Sequence, residues 1–462
     1  MIEDATASKQ EIAAGGIRTF AVIWFGQLIS ILGSSLTGFA LGVYIYQMTG
    51  SVTQLSLGLL AAFLPSLLFS TIAGALVDRW DRRWVMLISD TGSGLSTLAI
   101  WLLLTGGHLE VWHIYLANAV NSFFGTFQQP AYLAATTMLV PKKHYGRAAG
   151  LSQLSGALSQ VVTPILAGFL VVTIQVQGVI LIDFATYIFA VITLLFVSIP
   201  RPEVTSEGEA GKGSLMQEAG YGWSYLKQRP GLMGMLILFA FINFSLGFHS
   251  ALFTPLILSF TTAEVLGSIL SVGGLGMLVG SLVMSTWGGS KRKIHSLMGS
   301  MFIFGLFISL TGLRANPILI GAATFAFFLF LPIASGSSQA IWQTKVAPDV
   351  QGRVFATRRL IATIANPLAY LLAGPLADNV FEPLMMADGA LAKAIGRFTG
   401  VGVGRGIGVI FSTMGLFITL STVVGYLNPR IRLVEDELPD FVAEQPEPAE
   451  VSSMEEIPTA GD

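Results

Sequence analysis

Residues 19–77 carry no charged side chain. A helix needs about 20 apolar residues to cross the hydrocarbon core of a bilayer, so this stretch alone is long enough for two crossings. The pattern continues along the chain. Residues 84–105, 111–139, 148–173, 178–199, 230–260, 265–288, 294–313, 316–343, 360–377 and 406–427 are apolar and nearly free of charge. With the first stretch divided at Thr49-Gly50-Ser51, twelve spans are predicted, interrupted only by Asp90 and Asp183. Charge is kept out of these stretches because an ionised group at the bilayer centre costs at least ~2.5–3.5 kcal/mol. A membrane β-barrel would instead show ten-residue alternating segments. Charged residues make up 11% of the 462-residue chain, far below the roughly 25% of a soluble domain. The fold class that remains is an all-α polytopic membrane protein.

Lysine and arginine give the orientation. With a cytoplasmic N-terminus, 21 of the 25 Lys and Arg fall in cytoplasmic segments, and only Arg314, Lys393, Arg397 and Arg405 fall outside. This asymmetry predicts that both termini are cytoplasmic. Residues 1–17 hold Glu3, Asp4 and Glu11 and no apolar core, so they read as a cytoplasmic segment rather than a signal peptide. The net charge of −2 excludes a nucleic-acid partner. The absence of cysteine excludes disulfides and thiolate metal sites. No G-x-x-x-x-G-K-[ST], H-E-x-x-H or G-x-S-x-G motif occurs, so neither a bound ATPase nor a hydrolytic enzyme is expected, and no cofactor or metal site is predicted.

The longest loop, residues 200–229, opens with Pro200-Arg201-Pro202 and divides the chain into bundles at 18–199 and 230–428. Within it, Leu215 to Lys227 has the pattern of a short amphipathic surface helix. Residues 429–462 are acidic and proline-rich and read as a disordered cytoplasmic tail. The two halves match at an offset of 206 residues. Gly74-x-Leu76-Val77 pairs with Gly280-x-Leu282-Val283, Gly146-Arg147 with Gly352-Arg353, and Gly168 with Gly374. Twelve helices in two pseudo-symmetric six-helix bundles are a transporter architecture.

The stretch Gly74-Ala75-Leu76-Val77-Asp78-Arg79-Trp80-Asp81-Arg82-Arg83 resembles the loop 2–3 motif of the major facilitator superfamily, G-x-x-x-D-R-x-G-R-R. Asp81 stands where the motif has its second glycine. Gly26-Gln27, Ser30 and Gly33-Ser34 in helix 1, with Asp90 following the loop, resemble the macrolide-efflux and siderophore-exporter branch of drug:proton antiporters. Helix 4 lacks the arginine of the family's companion motif, as none lies between Val111 and Val140. The resemblance implies a monomeric secondary transporter of a bacterial inner membrane, with lipid and protons as its other partners. It implies proton-driven export of amphipathic small molecules, with an importer or permease of the same fold as the alternative, and a non-transporting membrane protein as a further one. It also implies gating at the cytoplasmic face. Gly74 would let helix 2 approach helix 11, Asp78 would face the positive N-terminal end of helix 11, and Arg79, Arg82 and Arg83 would pair with carboxylates or lipid phosphates.

Polar residues recur at helical spacing inside the spans. Helix 1 carries Gln27, Ser30, Ser34 and Thr37; helix 4 carries Asn118, Asn121, Gly125 and Gln128; helix 7 carries Asn243, Gly247, Ser250 and Thr254. Helix 10 offers Ser335, Gln339 and Gln343. Amides facing lipid are costly, so these faces are expected to line a central substrate cavity or to bond helices together. Phe123, Phe124, Phe127, Phe244, Phe327 and Phe328 either wall that cavity or fill the lipid-facing surface. Asp90, Asp183 and His249 are the candidates for proton coupling. Gly396, Gly400, Gly404 and Gly408 form a packing stripe if helical, or an outer loop if not.

Overall fold

The computed structural model describes residues 2–77, 80–141, 144–197, 199, 223–347 and 350–440. Among the described residues every regular element is helical, as hydrocarbon demands of a backbone that must satisfy its own hydrogen bonds. The first half comprises α1 (Ile2–Thr49), α2 (Val52–Val77), α3 (Arg82–Thr105), α4 (Val111–Leu139), α5 (Tyr145–Thr173) and α6 (Gln175–Leu195). The second comprises α7 (Pro230–Leu258), α8 (Ala263–Trp287), α9 (Lys293–Leu313) and α10 (Pro317–Lys345). It continues with α11 (Gln351–Thr363) and α12 (Ala365–Leu376), which follow one another as a single rod interrupted at Ile364. Pro367, which has no amide hydrogen, lies just after the break at Ile364. A π turn (Ala377–Phe381) and α13 (Glu382–Met385) end that rod, and α14 (Ala390–Thr399) and α15 (Arg405–Leu427) follow.

The halves are packed alike. In the first, α1 lies against α5 and α6, α3 against α4 and α6, and α2 against α4. In the second, α7 lies against α12 and α15, α9 against α10 and α15, and α8 against α10. The two halves meet chiefly where α5 packs on α8 and α2 packs on α12. The repeat glycines seat both contacts. A Cβ on Gly168 would strike the backbone of Ala263 and Glu264, and one on its counterpart Gly374 would strike that of Thr53.

The cores differ. The second half has one continuous apolar core, including Phe248, Phe304, Trp342 and Phe411. The first half has two, one around Phe20, Ile23 and Met86 and one around Leu36, Ile45 and Ile114. Between them on α1 lie Gln27, Ser30 and Ser34, so a polar layer interrupts the core.

Several expectations change here. Among the described residues, eleven helices are long and apolar enough to cross a membrane. The twelfth expected span, α4, is a 29-residue helix but is not among them. Its Asn118, Asn121, Gln128 and Gln129 dilute the apolar character. The tail was expected to be disordered from residue 429, yet Pro429–Arg432 (α16) and Val434–Glu437 (α17) are helical. The Glu435 carboxylate accepts the first amides of α9, from Lys293 at 3.0 Å and Ile294 at 2.8 Å, where the helix dipole favours an anion. The glycine-rich stretch is a loop after α14, because Gly400, Gly402 and Gly404 all take positive φ. Of the proposed surface helix at 215–227, only 223–227 lies within the described residues; it is helical, and Leu226 is buried in the second core.

Candidate functional site

The polar layer opens into a cavity of about 610 Å³. Asp90 and Asp183 both line it, although each is only 1% exposed. The α3 and α6 registers turn both acids inward, away from lipid. Gln27 Nε2 donates to Asp90 Oδ2 at 2.9 Å, and Gln128 Nε2 donates to Asp90 Oδ1 at 2.6 Å. Gln128 Nε2 also lies 2.7 Å from Gln27 Oε1, so α1, α3 and α4 converge on one carboxylate. Across the cavity, Ser34 Oγ lies 2.9 Å from the Tyr187 hydroxyl and 3.5 Å from Asp183 Oδ1. Gly33 allows α6 this close, since a Cβ there would crowd Thr186 and Asp183.

The walls are completed by contacts to α5. Trp24 Nε1 donates to the Leu151 carbonyl at 3.0 Å, and Ser35 and Ser159 share a 2.7 Å hydrogen bond. Asn118 lines the cavity while bonding the Gly58 carbonyl of α2 at 3.2 Å. Asn121 also lines it, and its Oδ1 has no hydrogen-bond partner among the described residues. Among the described lining residues there is no Lys, Arg or His. The carboxylates therefore have amide and hydroxyl partners and, among the described lining residues, no counter-charge. A proton or a cationic ligand group would supply one.

The four predicted polar faces do not meet in one chamber. Residues of α1 and α4 line the large cavity, but Asn243 and Gln339 line a second one of about 360 Å³ in the other half. Asn243 Nδ2 is used within its own helix, donating to the Phe239 carbonyl at 2.8 Å. Ser250 lines neither cavity. His249 stands among Phe253, Phe327 and Phe411, with ring centroids 5.0–5.3 Å away. The singled-out phenylalanines pack on one another, as Phe123 does with Phe124 and Phe127 and Phe327 with Phe328. Trp24, Tyr132 and Tyr187 are the aromatic residues of the large cavity.

In the loop motif, Asp78 and Arg79 lie outside the described residues. Asp81 caps α3, its carboxylate accepting from Arg83 N at 3.0 Å. The Arg83 guanidinium reaches the last carbonyls of α6, at Leu194 (3.0 Å) and Leu195 (2.6 Å). Arg82 Nη1 donates to the Trp80 carbonyl at 3.3 Å. Gly74 does not mark a close crossing: among the described residues nothing comes within 4 Å of a Cβ placed there. The close approach of α2 to the α11–α12 rod is at the opposite end.

Charge patterning gave no sign of that opposite contact. Asp378, in the π turn, accepts from Ser51 Oγ (2.8 Å), Val52 N (3.1 Å), Thr53 N (2.9 Å) and Thr53 Oγ1 (2.8 Å). It caps the start of α2 from the other half of the molecule. Nearby, Glu382 accepts from Gly404 N and Ile407 N, each at 2.9 Å, at the start of α15. The only sequence signal was position: Asp378 directly follows the charge-free stretch 360–377.

A family model described as "Major Facilitator Superfamily" matches residues 23–370. Macrolide efflux protein A of Streptococcus pyogenes is 30% identical over 379 residues, covering 78% of this chain and 90% of that protein. The multidrug efflux pump Tap of Mycolicibacterium fortuitum is 25% identical over 369 residues, covering 77% and 88%. The fold is also that of a solved bacterial homologue of the human lysosomal transporter Spinster, described as inward-facing and unoccupied. That structure matches with a TM-score of 0.67 at 14% identity, over 92% of this chain and 98% of that one.

Proposed function

This chain belongs to the major facilitator superfamily, and on that premise we propose that it exports amphipathic small molecules of the macrolide or multidrug kind in exchange for protons. It is a multi-pass membrane transporter and not an enzyme. In this reading α4 is the twelfth span. Residues 18–199 and 230–428 form two six-helix bundles, and both termini are cytoplasmic. The packing pattern common to the halves and the distribution of Lys and Arg support it.

The observation that carries the proposal is the cavity lined by Asp90 and Asp183 without a cation among its described residues. A protonated amine on an amphipathic substrate and a proton each neutralise the same acids, so each displaces the other. Asn121 Oδ1 offers a further acceptor. Trp24, Tyr132 and Tyr187 give apolar area for the body of the substrate.

Alternating access follows from rocking one bundle against the other. The end tied by Asp378 and by Gly168 and Gly374 is the outer one, and the structure is then open towards the cytoplasm. At the cytoplasmic end α11 packs on α7, whereas α12 meets α2 at the outer end.

The test is export in proteoliposomes under an imposed proton gradient, with a macrolide and a lipophilic cationic dye as probes. Export that follows the gradient and collapses with a protonophore is expected. Absence of gradient-dependent flux for either probe, in protein shown to be folded, overturns the reading.

A further inference from the structure

The second cavity has the opposite electrostatic character. Its described lining is Leu236, Phe239 and Asn243 of α7, Gln339 and Trp342 of α10, and Phe355, Arg358, Arg359, Ala362 and Thr363 of α11 and its end. It lies near the start of α7 and the end of α10, the end of the molecule rich in Lys and Arg. Two guanidinium groups line it, and no carboxylate is among the described lining residues.

Arg358 is held in place. Nη1 donates to Gln339 Oε1 at 3.1 Å, and Nη2 donates to Ser338 Oγ at 3.0 Å. Its guanidinium carbon lies 4.8 Å from the centroid of the Trp342 ring. Trp342 is fully buried and anchors this face of the pocket in the second core. Those partners are neutral. They fix the planar fork without cancelling its charge, and among the described residues three of its five N–H groups have no partner. A partly desolvated cation without a counter-ion is costly, and no ion pair forms here among the described residues. The rest of the lining is chiefly apolar and aromatic: Leu236, Phe239, Trp342, Phe355 and Ala362.

We infer that this cavity is a binding site for an amphipathic anion, a phosphate or carboxylate joined to an apolar or aromatic body. The Arg358 fork takes the anionic oxygens, with Arg359 at the mouth adding charge. The apolar wall takes the attached group. About 360 Å³ accommodates a small amphiphile or the headgroup and first carbons of a lipid. The site is distinct from the acid-lined cavity. Its ligand bridges α7, α10 and α11 and so stabilises the packing of α11 on α7.

Two sources have this chemistry: an anionic phospholipid of the adjacent leaflet and a free aromatic or alkyl phosphate from solution. Both are tested on the full-length protein in a neutral maltoside detergent. Thermal unfolding is followed against phosphatidylglycerol and against phenyl phosphate, with phosphatidylcholine and benzyl alcohol as uncharged-group controls. Stabilisation by at least one of the anions over its control is expected. Arg358→Gln should weaken that binding about tenfold or more, the loss of a charge-assisted fork. Arg358→Lys keeps the charge but loses the fork, and should also weaken it. It serves as the reporter if the Gln variant does not fold.

Response to the lipid alone assigns the site to the leaflet, and response to phenyl phosphate alone assigns it to a soluble anion. Asp90→Asn should leave anion binding unchanged, so a failure of the proton-export reading is separable from a failure here. Wild-type protein stabilised no more by either anion than by its control overturns the site. So do Arg358 variants that bind as wild type does.

Discussion

Asp90 has hydrogen-bond partners on both oxygens and, among the described lining residues of its cavity, no cation beside it. Asp90→Asn keeps the size of the side chain and removes its ability to carry a proton. Proton-driven export is expected to fall at least about tenfold, equivalent to 1.4 kcal/mol, while insertion and thermal stability stay near those of the wild type. Export from proteoliposomes beside a melting curve checks this, and a wild-type rate in the Asn variant removes Asp90 from the coupling path. Asp81 has a different role. It departs from the family glycine but caps α3 through its carboxylate. Asp81→Ala should cost about 0.5–2 kcal/mol of stability, and Asp81→Ser should restore most of it. Denaturant unfolding of the two variants distinguishes a cap from a charge acting at a distance.

At the level of elements, the rod of α11 and α12 connects the two halves. Its π turn aims Asp378 at the start of α2, where unpaired amides and the helix dipole welcome an anion. Asp378→Ala removes this cap from the closed end. At about 0.5–2 kcal/mol for a helix cap, the balance between conformations should shift about 2- to 30-fold towards separation of α2 from α12. Pulsed EPR between labels at Gln54 and Val380, in this cysteine-free chain, should show a longer-distance population growing in the variant. An unchanged distribution would mean that the glycine contacts hold the end closed without Asp378. The same helices explain why α4 is less apolar than its neighbours. Its amides spend their hydrogen bonds on Asp90 and on the Gly58 carbonyl, inside the bundle.

Across the whole molecule, the segment after α15 folds back as a clip. Lys345, at 3% exposure, donates to the carbonyls of Glu435 and Leu438 and pairs with the Asp440 carboxylate at 2.6 Å. A chain ending at Leu433 loses all three partners and strands a buried ammonium. A loss of about 1–3 kcal/mol is expected, tempered by water reaching the vacated site. Lys345→Met should destabilise the full-length protein yet recover stability in the shortened one. That reversal in a double-mutant comparison of melting temperatures is the check, and additive effects would show that the clip and Lys345 act independently.

The sequence alone determined the helical class and eleven of the twelve expected spans, and it carried the repeated motifs at an offset of 206 residues. These depend on local physics: hydrocarbon excludes charge, and a helix satisfies its backbone within a single segment. Helical periodicity also marked the faces bearing Gln27, Asn118 and Gln128. It could not give their neighbours, because a spacing of 3.6 residues fixes the side of a helix and not what is packed against it. Only the tertiary structure joined Gln27 to Asp90, 63 residues apart, and turned both acids into one cavity. It likewise separated Asn243 and Gln339 from that cavity and placed them beside Arg358, which lies between the charge-poor stretches 316–343 and 360–377. The pairing of Asp378 with Ser51 spans 327 residues. Such a contact has no local signature, because it exists only when the halves are docked at that end.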